Sequence, residues 1–495
     1  MRSRLTIFSL LLVPVGAVLF NARPIAQTPG CEARANNTSD KLLECITIEG
    51  LTRHLSALQA IADAHHGTRS SGTPGFNASA DYAAEIFAQA GYAVTRQPFQ
   101  FQAFLTLAPT ILQQVAPVPV TFNATALDYS GSGDVTAAVT LPSGSAEGCA
   151  AGDFAGFPAG DIALIVRGGN CSFLQKATNA HAAGAAAVIV YNNVPGTFSA
   201  TLSDAFTVDI PVVGVRLLLG QQMAATSGLV MRIRTSTFRG VATSENIIAE
   251  SAWGDPDNVV MAGAHLDSVA GPGINDNGSG VSAILETARH LDRAATRNRV
   301  RFVLWGAEEA GLIGSRYYVA GLSEVERAKI ALYLNFDMIA SPNHVLAILD
   351  GDDSDGVGAG AGPEGSTAIE RTFERFYLDH GLPFRGTDLS GRSDYGPFMS
   401  ANIPVGGIFT GADVVKSPLE ASLWGGTAGI AYDPCYHQAC DTFANVNYDV
   451  LDLNGDAVAD AVLHFAMTTF DINGKRGKGT FTLPGVQDEH RAAHY

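Results

Sequence analysis

The sequence predicts an α/β fold whose mostly parallel central sheet is covered by helices on both faces. Short, continuously apolar segments alternate with segments of helical apolar spacing, which is typical of parallel strands buried on both faces. The hydrophobic fraction is 46% of 495 residues, enough to form a large core. Residues 109–233 differ in composition, being rich in Val, Ala, Gly and Pro, and they predict a separate, small, β-rich module.

The first elements along the chain are two helices followed by a strand. Residues 51–64 have helical apolar spacing, and a turn rich in Gly, Ser, Thr and Pro follows at residues 67–75. Residues 78–90 form the second predicted helix, which ends at Gly91. Residues 92–101 then alternate between apolar and polar side chains, which indicates a strand.

The remaining elements belong to the module and to a second α/β stretch. In the module, strands are predicted at residues 135–141, 162–166, 187–191 and 211–215, with a helix at residues 174–183. The second stretch opens at residues 246–248, and its strands are predicted at residues 259–264, 300–305, 330–336 and 404–409. Its helices are predicted at residues 281–294, 366–379 and 450–470. We therefore expect the module to be inserted between two halves of one α/β domain.

The N-terminus has the order of regions found in a secretory signal peptide. Two arginines in residues 1–4 precede an almost unbroken apolar run at residues 5–20, and small, polar and proline residues follow. A membrane anchor is the alternative, since about 20 apolar residues are needed to span a bilayer. The signal-peptide interpretation predicts a secreted or periplasmic protein with no stable membrane association after cleavage.

The predicted domain organisation follows from these segments. Its parts are a signal peptide (residues 1–27), the first part of the α/β domain (39–121), the inserted module (122–236), the second part of the α/β domain (237–472) and a polar tail (473–495).

Charge and cysteine content narrow the class of protein further. Asp and Glu number 48 against 31 Lys and Arg, a formal charge of −17. Nucleic acid is excluded as a partner, because binding a polyanion needs a basic surface. Six cysteines on an exported chain favour disulfides. Proximity in the sequence suggests the pairs Cys31–Cys45, Cys149–Cys171 and Cys435–Cys440.

Acidic and histidine side chains repeatedly follow the predicted strands of the second stretch. The candidates are His265 and Asp267 after residues 259–264, Asp276 in the glycine-rich loop 273–280, Glu308 and Glu309 after residues 300–305, Asp337 after residues 330–336, and His437 between two cysteines. Sites in parallel sheets form outside the carboxyl ends of the strands, so these groups can converge in space.

Two histidines and three carboxylates suit a pair of divalent ions, with zinc as the metal. Five ligands for two ions require one ligand to bridge, and Asp276 is the candidate because its glycine-rich loop permits close backbone approach. Of the adjacent pair Glu308 and Glu309, one can bind metal while the other takes a proton from water. Asp267 could accept the second imidazole N–H of His265. Taken singly, each residue also fits an ordinary surface or turn position.

Five segments in this order resemble the M28 family of two-zinc aminopeptidases. They are residues 265–268 (HLDS), 275–280 (NDNGSG), 305–315 (WGAEEAGLIGS), 335–339 (NFDMI) and 436–437 (YH). The resemblance is strongest to the secreted bacterial branch that includes the Streptomyces-type leucine aminopeptidase, and residues 67–75 (GTRSSGTPG) are similar to the N-terminal segment of that family. It implies a three-layer zinc-exopeptidase fold. The module resembles a protease-associated (PA) domain through residues 160–173 and 182–189.

The resemblance also implies a role for each site residue. It assigns His265 and Asp337 to one zinc ion, Glu309 and His437 to the other, and Asp276 to both. It also implies that Glu308 is the general base, Asp267 the partner of His265, Tyr436 the residue that stabilises the tetrahedral intermediate, and Arg392 a residue that contacts the substrate. Arg392 could equally pair with Asp394.

The function expected from these residues is a secreted metalloaminopeptidase. Its substrates would be the N-termini of peptides or proteins, and we expect a monomer. A carboxypeptidase remains an alternative, because Arg392 could bind a terminal carboxylate. A glutaminyl cyclase with one zinc ion and a metal-free binding protein are further alternatives, and the complete ligand set argues against both.

Overall fold

The computed structural model describes residues 30–475 apart from residues 32, 196–199, 270 and 359. The predicted signal peptide and residues 476–495 of the predicted polar tail lie outside the described residues. The strands are β1 (Ala93–Ala116), β2 (Val120–Phe122), β3 (Thr125–Ala126), β4 (Gly133–Thr140), β5 (Ile162–Val166), β6 (Ala187–Tyr191), β7 (Val212–Val215), β8 (Val230–Glu250), β9 (Asp255–His265), β10 (Asn298–Trp305), β11 (Ile330–Phe336), β12 (Ala347–Leu349), β13 (Arg385–Thr387) and β14 (Val405–Phe409).

Helices alternate with these strands through most of the chain. They are α1 (Ser39–Leu43), α2 (Ile48–Ala64), α3 (Pro74–Gln89), α4 (Phe173–Ala182), α5 (Leu217–Ala225), α6 (Ser279–Leu291), α7 (Ile313–Gly321), α8 (Glu324–Lys329), α9 (Ser366–Asp379), α10 (Tyr395–Ser400), α11 (Pro418–Trp424), α12 (Tyr448–Met467) and α13 (Phe470–Asn473). Within the described residues, no helix is both long and apolar enough to span a bilayer.

The larger sheet has the strand order β13-β12-β14-β11-β9-β10-β8. Its central strands β14, β11, β9 and β10 are parallel neighbours, whereas β8 pairs antiparallel with β10, and β12 pairs antiparallel with β14 and parallel with β13. Helices cover both faces. Val260 and Ala262 of β9 face the core formed with α2, α3, α6, α9 and α12, while Val259 and Met261 face the core formed with α7 and α10. The predicted three-layer fold with a mostly parallel sheet is confirmed.

The inserted module forms a second, smaller sheet. Strands β4, β5, β6 and β7 are parallel neighbours, and β3 pairs antiparallel with β7. Two apolar clusters of its own lie on the two faces of this sheet, one including Phe154 and Ala177 and the other including Leu164 and Met223. Each unit therefore has a separate core.

A long antiparallel ribbon of β1 and β8 joins the two sheets. The two strands pair from Ala93↔Glu250 to Ala116↔Val230. Leu112 lies opposite both Phe122 and Ile233, so the two ends of the module lie beside each other. The predicted module boundary at residue 236 falls inside β8. The three disulfides expected from sequence proximity are all present.

Candidate metal centre

The carboxyl ends of three neighbouring parallel strands position most of the site. β9 ends at His265, β10 ends three residues before Glu308, and β11 ends directly before Asp337. Because β10, β9 and β11 are parallel neighbours, their carboxyl ends lie at one edge of the sheet. Asp276 reaches the same edge from the turn before α6, and His437 from the loop that the Cys435–Cys440 disulfide closes.

Two groups of metal-binding side chains meet at Asp276. His265 Nε2 lies 3.2 Å from Asp276 Oδ1 and 3.3 Å from Asp337 Oδ1. His437 Nε2 lies 3.2 Å from Asp276 Oδ2 and 3.0 Å from Glu309 Oε2. Each group of three offers ligand atoms close enough to hold one ion. The two carboxylate oxygens of Asp276 thus face different groups, which is the arrangement that a bridging ligand needs.

The donor set fits a pair of divalent cations. Imidazole and carboxylate are the protein ligands that zinc takes in hydrolytic sites. Glu309 Oε1 is buried and makes no hydrogen bond, although a buried carboxylate oxygen without a partner is energetically costly. Burial raises the pKa of Glu309, and the neighbouring Asp276 carboxylate raises it further. Cations at this position would satisfy both the orphaned oxygen and the excess negative charge.

The carboxylates also raise the pKa of the two imidazoles. Burial would lower the pKa of His437, but Glu309 and Asp276 outweigh burial and raise the pKa to about 11. For His265, the effect of burial is likewise outweighed by Asp337 and Glu308, so its pKa is raised well above its usual value. Ligand imidazoles must be neutral to bind metal, so a metal ion at this site would displace their protons.

Asp441 fixes the loop that carries Asp276. Its Oδ2 accepts a hydrogen bond from Asp276 N at 2.9 Å, and its Oδ1 accepts one from Asn275 N at 2.8 Å. Asp441 directly follows Cys440, so the same carboxylate links the Asp276 turn to the loop of His437. Burial raises the pKa of Asp441 to about 7.

A chain of hydrogen bonds orients Asp337. Ser393 Oγ donates to Asp337 Oδ2 at 2.6 Å, and Asn335 Nδ2 donates to Ser393 Oγ at 3.0 Å. Tyr333 OH donates to Asn335 Oδ1 at 3.0 Å, and Trp305 Nε1 donates to Tyr333 OH at 2.7 Å. Because each partner is fixed by the next, the carboxylate of Asp337 is held in one orientation.

The carboxylate of Asp267 binds the backbone of Glu308, whereas the sequence predicts that it binds the imidazole of His265. Asp267 Oδ1 accepts a hydrogen bond from Glu308 N at 3.2 Å. His265 Nδ1 lies 3.1 Å from the backbone oxygen of Asp267 and 3.7 Å from its carboxylate. The backbone carbonyl is therefore the nearer partner of the imidazole. Burial raises the pKa of Glu308 well above its usual value, and the nearby carboxylates of Asp394 and Glu309 add to this effect.

The structure brings Tyr436 to the site but not Arg392. The Tyr436 ring stacks on His437 with 3.8 Å between centroids. Arg392 is exposed, and among the described side chains it forms no ion pair with Asp394. The carboxylate of Asp394 is buried, and burial raises its pKa to about 8. The alternative pairing of Arg392 with Asp394 is therefore not observed.

Comparison with known proteins identifies both units. Residues 246–462 match peptidase family M28, and residues 132–223 match the PA domain. An aminopeptidase of Pseudomonas aeruginosa is 45% identical over 446 residues, which cover 86% of this chain and 82% of the relative. The chain belongs to peptidase family M28. It is therefore an enzyme of the peptidase class with an inserted PA domain.

Further similarity supports this M28 assignment. A probable lipoprotein aminopeptidase of Mycobacterium tuberculosis is 40% identical over 469 residues, covering 92% of this chain and 91% of the relative. A crystal structure of a zinc aminopeptidase from Bacillus subtilis is similar with a TM-score of 0.63 and 27% identity, and the match covers 85% of this chain and 95% of that one.

Three residues that organise this M28 site were missed by the sequence analysis. Asp441 and Ser393 hold the candidate ligands Asp276 and Asp337 in place, and Arg69 holds the backbone between His265 and Asp276. Their only local signals are weak: Asp441 follows a cysteine, Ser393 follows Arg392, and Arg69 lies in the Gly/Ser-rich turn at residues 67–75.

Proposed function

We propose that this M28 enzyme is a secreted aminopeptidase that holds two zinc ions and removes the N-terminal residue from peptides or proteins. The observation that carries the proposal is the sharing of Asp276 between two groups of three ligands. His265 and Asp337 would complete one zinc site, and Glu309 and His437 the other. The names of the relatives as aminopeptidases support the reaction class.

Glu308 is the general base in this proposal. When bound, the zinc pair supplies Lewis-acid polarisation of the scissile carbonyl. Glu308 takes a proton from the attacking water and passes it to the leaving amine. A base for this task needs a pKa closer to neutrality than an ordinary Glu has, and burial raises the pKa of Glu308 in this direction. Asp267, through the Glu308 backbone N–H, keeps this residue in position.

The remaining site residues account for substrate orientation. Tyr436 donates a hydrogen bond to the oxygen that becomes negative in the tetrahedral intermediate. Its ring position is fixed by stacking on His437. The carboxylates around the site attract the free α-ammonium of a substrate, which is the group that an aminopeptidase must recognise. Arg392 is exposed, and it remains a candidate for contact with a longer substrate.

Export of the protein is supported by its cysteines. All six cysteines form disulfides, which persist in oxidising compartments. We propose a secreted or periplasmic monomer with the signal peptide, domain and tail boundaries given by the sequence.

A paired substrate and metal assay tests the proposal. Aminoacyl-p-nitroanilides should be hydrolysed, and N-blocked versions should not, because blocking removes the α-ammonium. The purified protein should contain roughly two zinc ions per chain. Removal of zinc with o-phenanthroline should abolish activity, and added Zn²⁺ should restore it. Activity that survives complete zinc removal, or equal hydrolysis of N-blocked substrates, would overturn the proposal.

A further inference from the structure

Arg69 is a fully buried cation directly beneath the metal-ligand loops. Its side chain is 0% exposed. The guanidinium donates three hydrogen bonds to backbone carbonyls, from Nε to Pro272 O at 2.6 Å, from Nη2 to Gly273 O at 2.6 Å and from Nη1 to Leu266 O. Arg69 comes from the turn at residues 67–75, which no role in the proposed reaction has so far used.

The three acceptors bracket the segment between two candidate ligands. Leu266 directly follows His265, and Gly273 lies three residues before Asp276. A second contact comes from the backbone, because Arg69 N donates to Ser268 Oγ at 3.0 Å and Ser268 Oγ donates to Gly271 O at 2.7 Å. One residue therefore ties both ends and the middle of this loop together.

The same turn also supports the strand end that carries the proposed base. Ala307 N donates to Ser71 Oγ at 2.7 Å, and Ala307 directly precedes Glu308. The turn at residues 67–75 is thus in contact with the backbone on both sides of the proposed metal centre.

The positive charge of Arg69 also lies near the buried carboxylates of the site. The three hydrogen bonds that its guanidinium donates in the described part of the chain all go to carbonyls, while Asp267, Asp441 and Asp276 act on its charge without a hydrogen bond. Burial lowers the pKa of Arg69 to about 10, so the guanidinium stays charged at neutral pH. A permanent positive charge beneath a group of buried carboxylates offsets part of their mutual repulsion.

We propose that Arg69 is a positioning residue, which sets the spacing between His265 and Asp276 and thereby the stability of the shared metal site. The inference rests on the proposed function, since it concerns the same two-zinc centre. Lysine cannot replace arginine here, because a single ammonium lacks the planar fork that reaches three carbonyls in fixed directions. Arg69→Lys therefore keeps the charge and removes the geometry, while Arg69→Gln removes both.

The test compares zinc release with kinetics in these two variants. Zinc release into a chromophoric chelator, kcat and KM at saturating zinc, and thermal stability are measured for each protein. We expect Arg69→Lys to release zinc about 10-fold faster than the wild type, and its kcat to be about 10-fold lower, with little change in KM. Effects of this size are usual for residues that orient metal ligands. Arg69→Gln should show larger effects in the same direction.

A buried cation elsewhere provides the matched control. Lys176 of the PA module is 1% exposed, and its Nζ donates to Glu147 O and to Val166 O at 3.4 Å. Lys176→Met should lower thermal stability and leave zinc release and kcat unchanged. A loss of zinc affinity in this control equal to that in Arg69→Lys would overturn the inference.

The remaining outcomes are also decisive. If zinc-loaded Arg69→Lys has wild-type kcat and zinc release and only lower stability, Arg69 is a structural residue and the inference is wrong. If Arg69→Lys fails to fold, Ser268→Ala replaces it, since this change removes the bridge from Arg69 N to Gly271 O. It should shift zinc release and kcat in the same direction, and unchanged values would contradict the inference. A wild-type protein without two zinc ions would instead overturn the proposed function.

Discussion

The region that matches family M28 (residues 246–462, the M28 domain) and the region that matches the PA domain (residues 132–223, the PA module) both place parallel strands among helices, yet among the described residues only the M28 domain carries a candidate catalytic site. In the M28 domain, the strand ends lead to His265, Glu308 and Asp337. In the PA module, the residues that directly follow β5 and β6 are Arg167 and Asn192. The parallel sheet provides an edge where loops meet, and the side chains on those loops decide whether chemistry is possible there.

The two units also differ in how they treat buried charge. The M28 domain gathers buried carboxylates near Arg69 and two imidazoles, and Glu309 Oε1 is left without a hydrogen bond. In the PA module, buried Lys176 is satisfied by carbonyl oxygens. The proposed cations in the M28 domain would account for this difference. Four experiments can break or sharpen it.

The largest effect should come from the shared ligand. Asp276→Ala removes a carboxylate from both groups at once, so bound zinc should fall at both sites and activity should be abolished. Asp337→Ala touches one group and should lower bound zinc at one site. Zinc content by atomic spectroscopy checks both variants. Equal zinc loss in the two variants would show that Asp276 does not bridge.

The adjacent pair of glutamates should separate proton transfer from metal binding. Glu308→Gln should keep both zinc ions and lower kcat by ~10³–10⁴-fold, the upper part of the range for loss of a general base. Glu309→Ala should lower bound zinc, because Glu309 Oε2 lies 3.0 Å from His437 Nε2 within one ligand group. Steady-state kinetics and zinc analysis distinguish the two changes. Near-normal kcat in Glu308→Gln, or loss of its zinc, would contradict the assignment.

One disulfide from each region allows the M28 domain and the PA module to be compared again, with a smaller expected effect on activity. Cys435 and Cys440 are 5 residues apart and enclose His437, whereas Cys149 and Cys171 are 22 apart within the PA module. Loop-closure entropy gives about 2 kcal/mol of stability for the short loop and about 3 kcal/mol for the long one. Replacing both cysteines of the short loop should nevertheless lower activity more, by about 10-fold, because it loosens a ligand.

Thermal unfolding and kcat of the two double variants check this inverse order. If loss of Cys149–Cys171 lowers activity as much as loss of Cys435–Cys440, the disulfide around His437 has no special role at the site.

The sequence predicts the longer buried strands well, and the very short or exposed strands poorly. β5, β6 and β11 have the predicted bounds, because each is a continuous apolar run. β12 and β13 have three residues each, too few to show a period, and they were not predicted. β1 was predicted to end at residue 101 but continues to Ala116, because its residues 104–111 include no buried side chain and so show no alternation.

The residues of the candidate site likewise fall into those that the sequence predicts and those that it does not. The five proposed ligands were identified because each is an acid or a histidine at a strand end or in a constrained loop, which is a local signal. Their roles as ligands stay predictions. Asp441, Ser393 and Arg69 act on residues 165, 56 and 197 positions away, so no local pattern marks them. Sequence reasoning finds side chains with reactive groups, and only the fold shows what holds those groups in place.

The smallest effect on the chemistry should come from removal of the PA module. Leu105 and Phe238 lie opposite each other on the β1/β8 ribbon, so residues 106–237 can be replaced by an Asn-Gly turn at this pair. The cut leaves Phe99, Phe101 and the neighbouring core in place, and it removes the ribbon residues that pack only on the module.

This shortened protein should fold, bind zinc like the full chain and hydrolyse aminoacyl-p-nitroanilides within about tenfold of the wild-type rate, a difference of ~1.4 kcal/mol. Longer peptides should respond more strongly. Asp128 of the inserted module lies close enough to His437 to interact with it electrostatically, so the module lies near the site. Kinetics on a series of peptides of increasing length checks this. A shortened protein that treats all lengths like the wild type would show that the module has no part in substrate selection, and one that unfolds would show that the two cores are not independent.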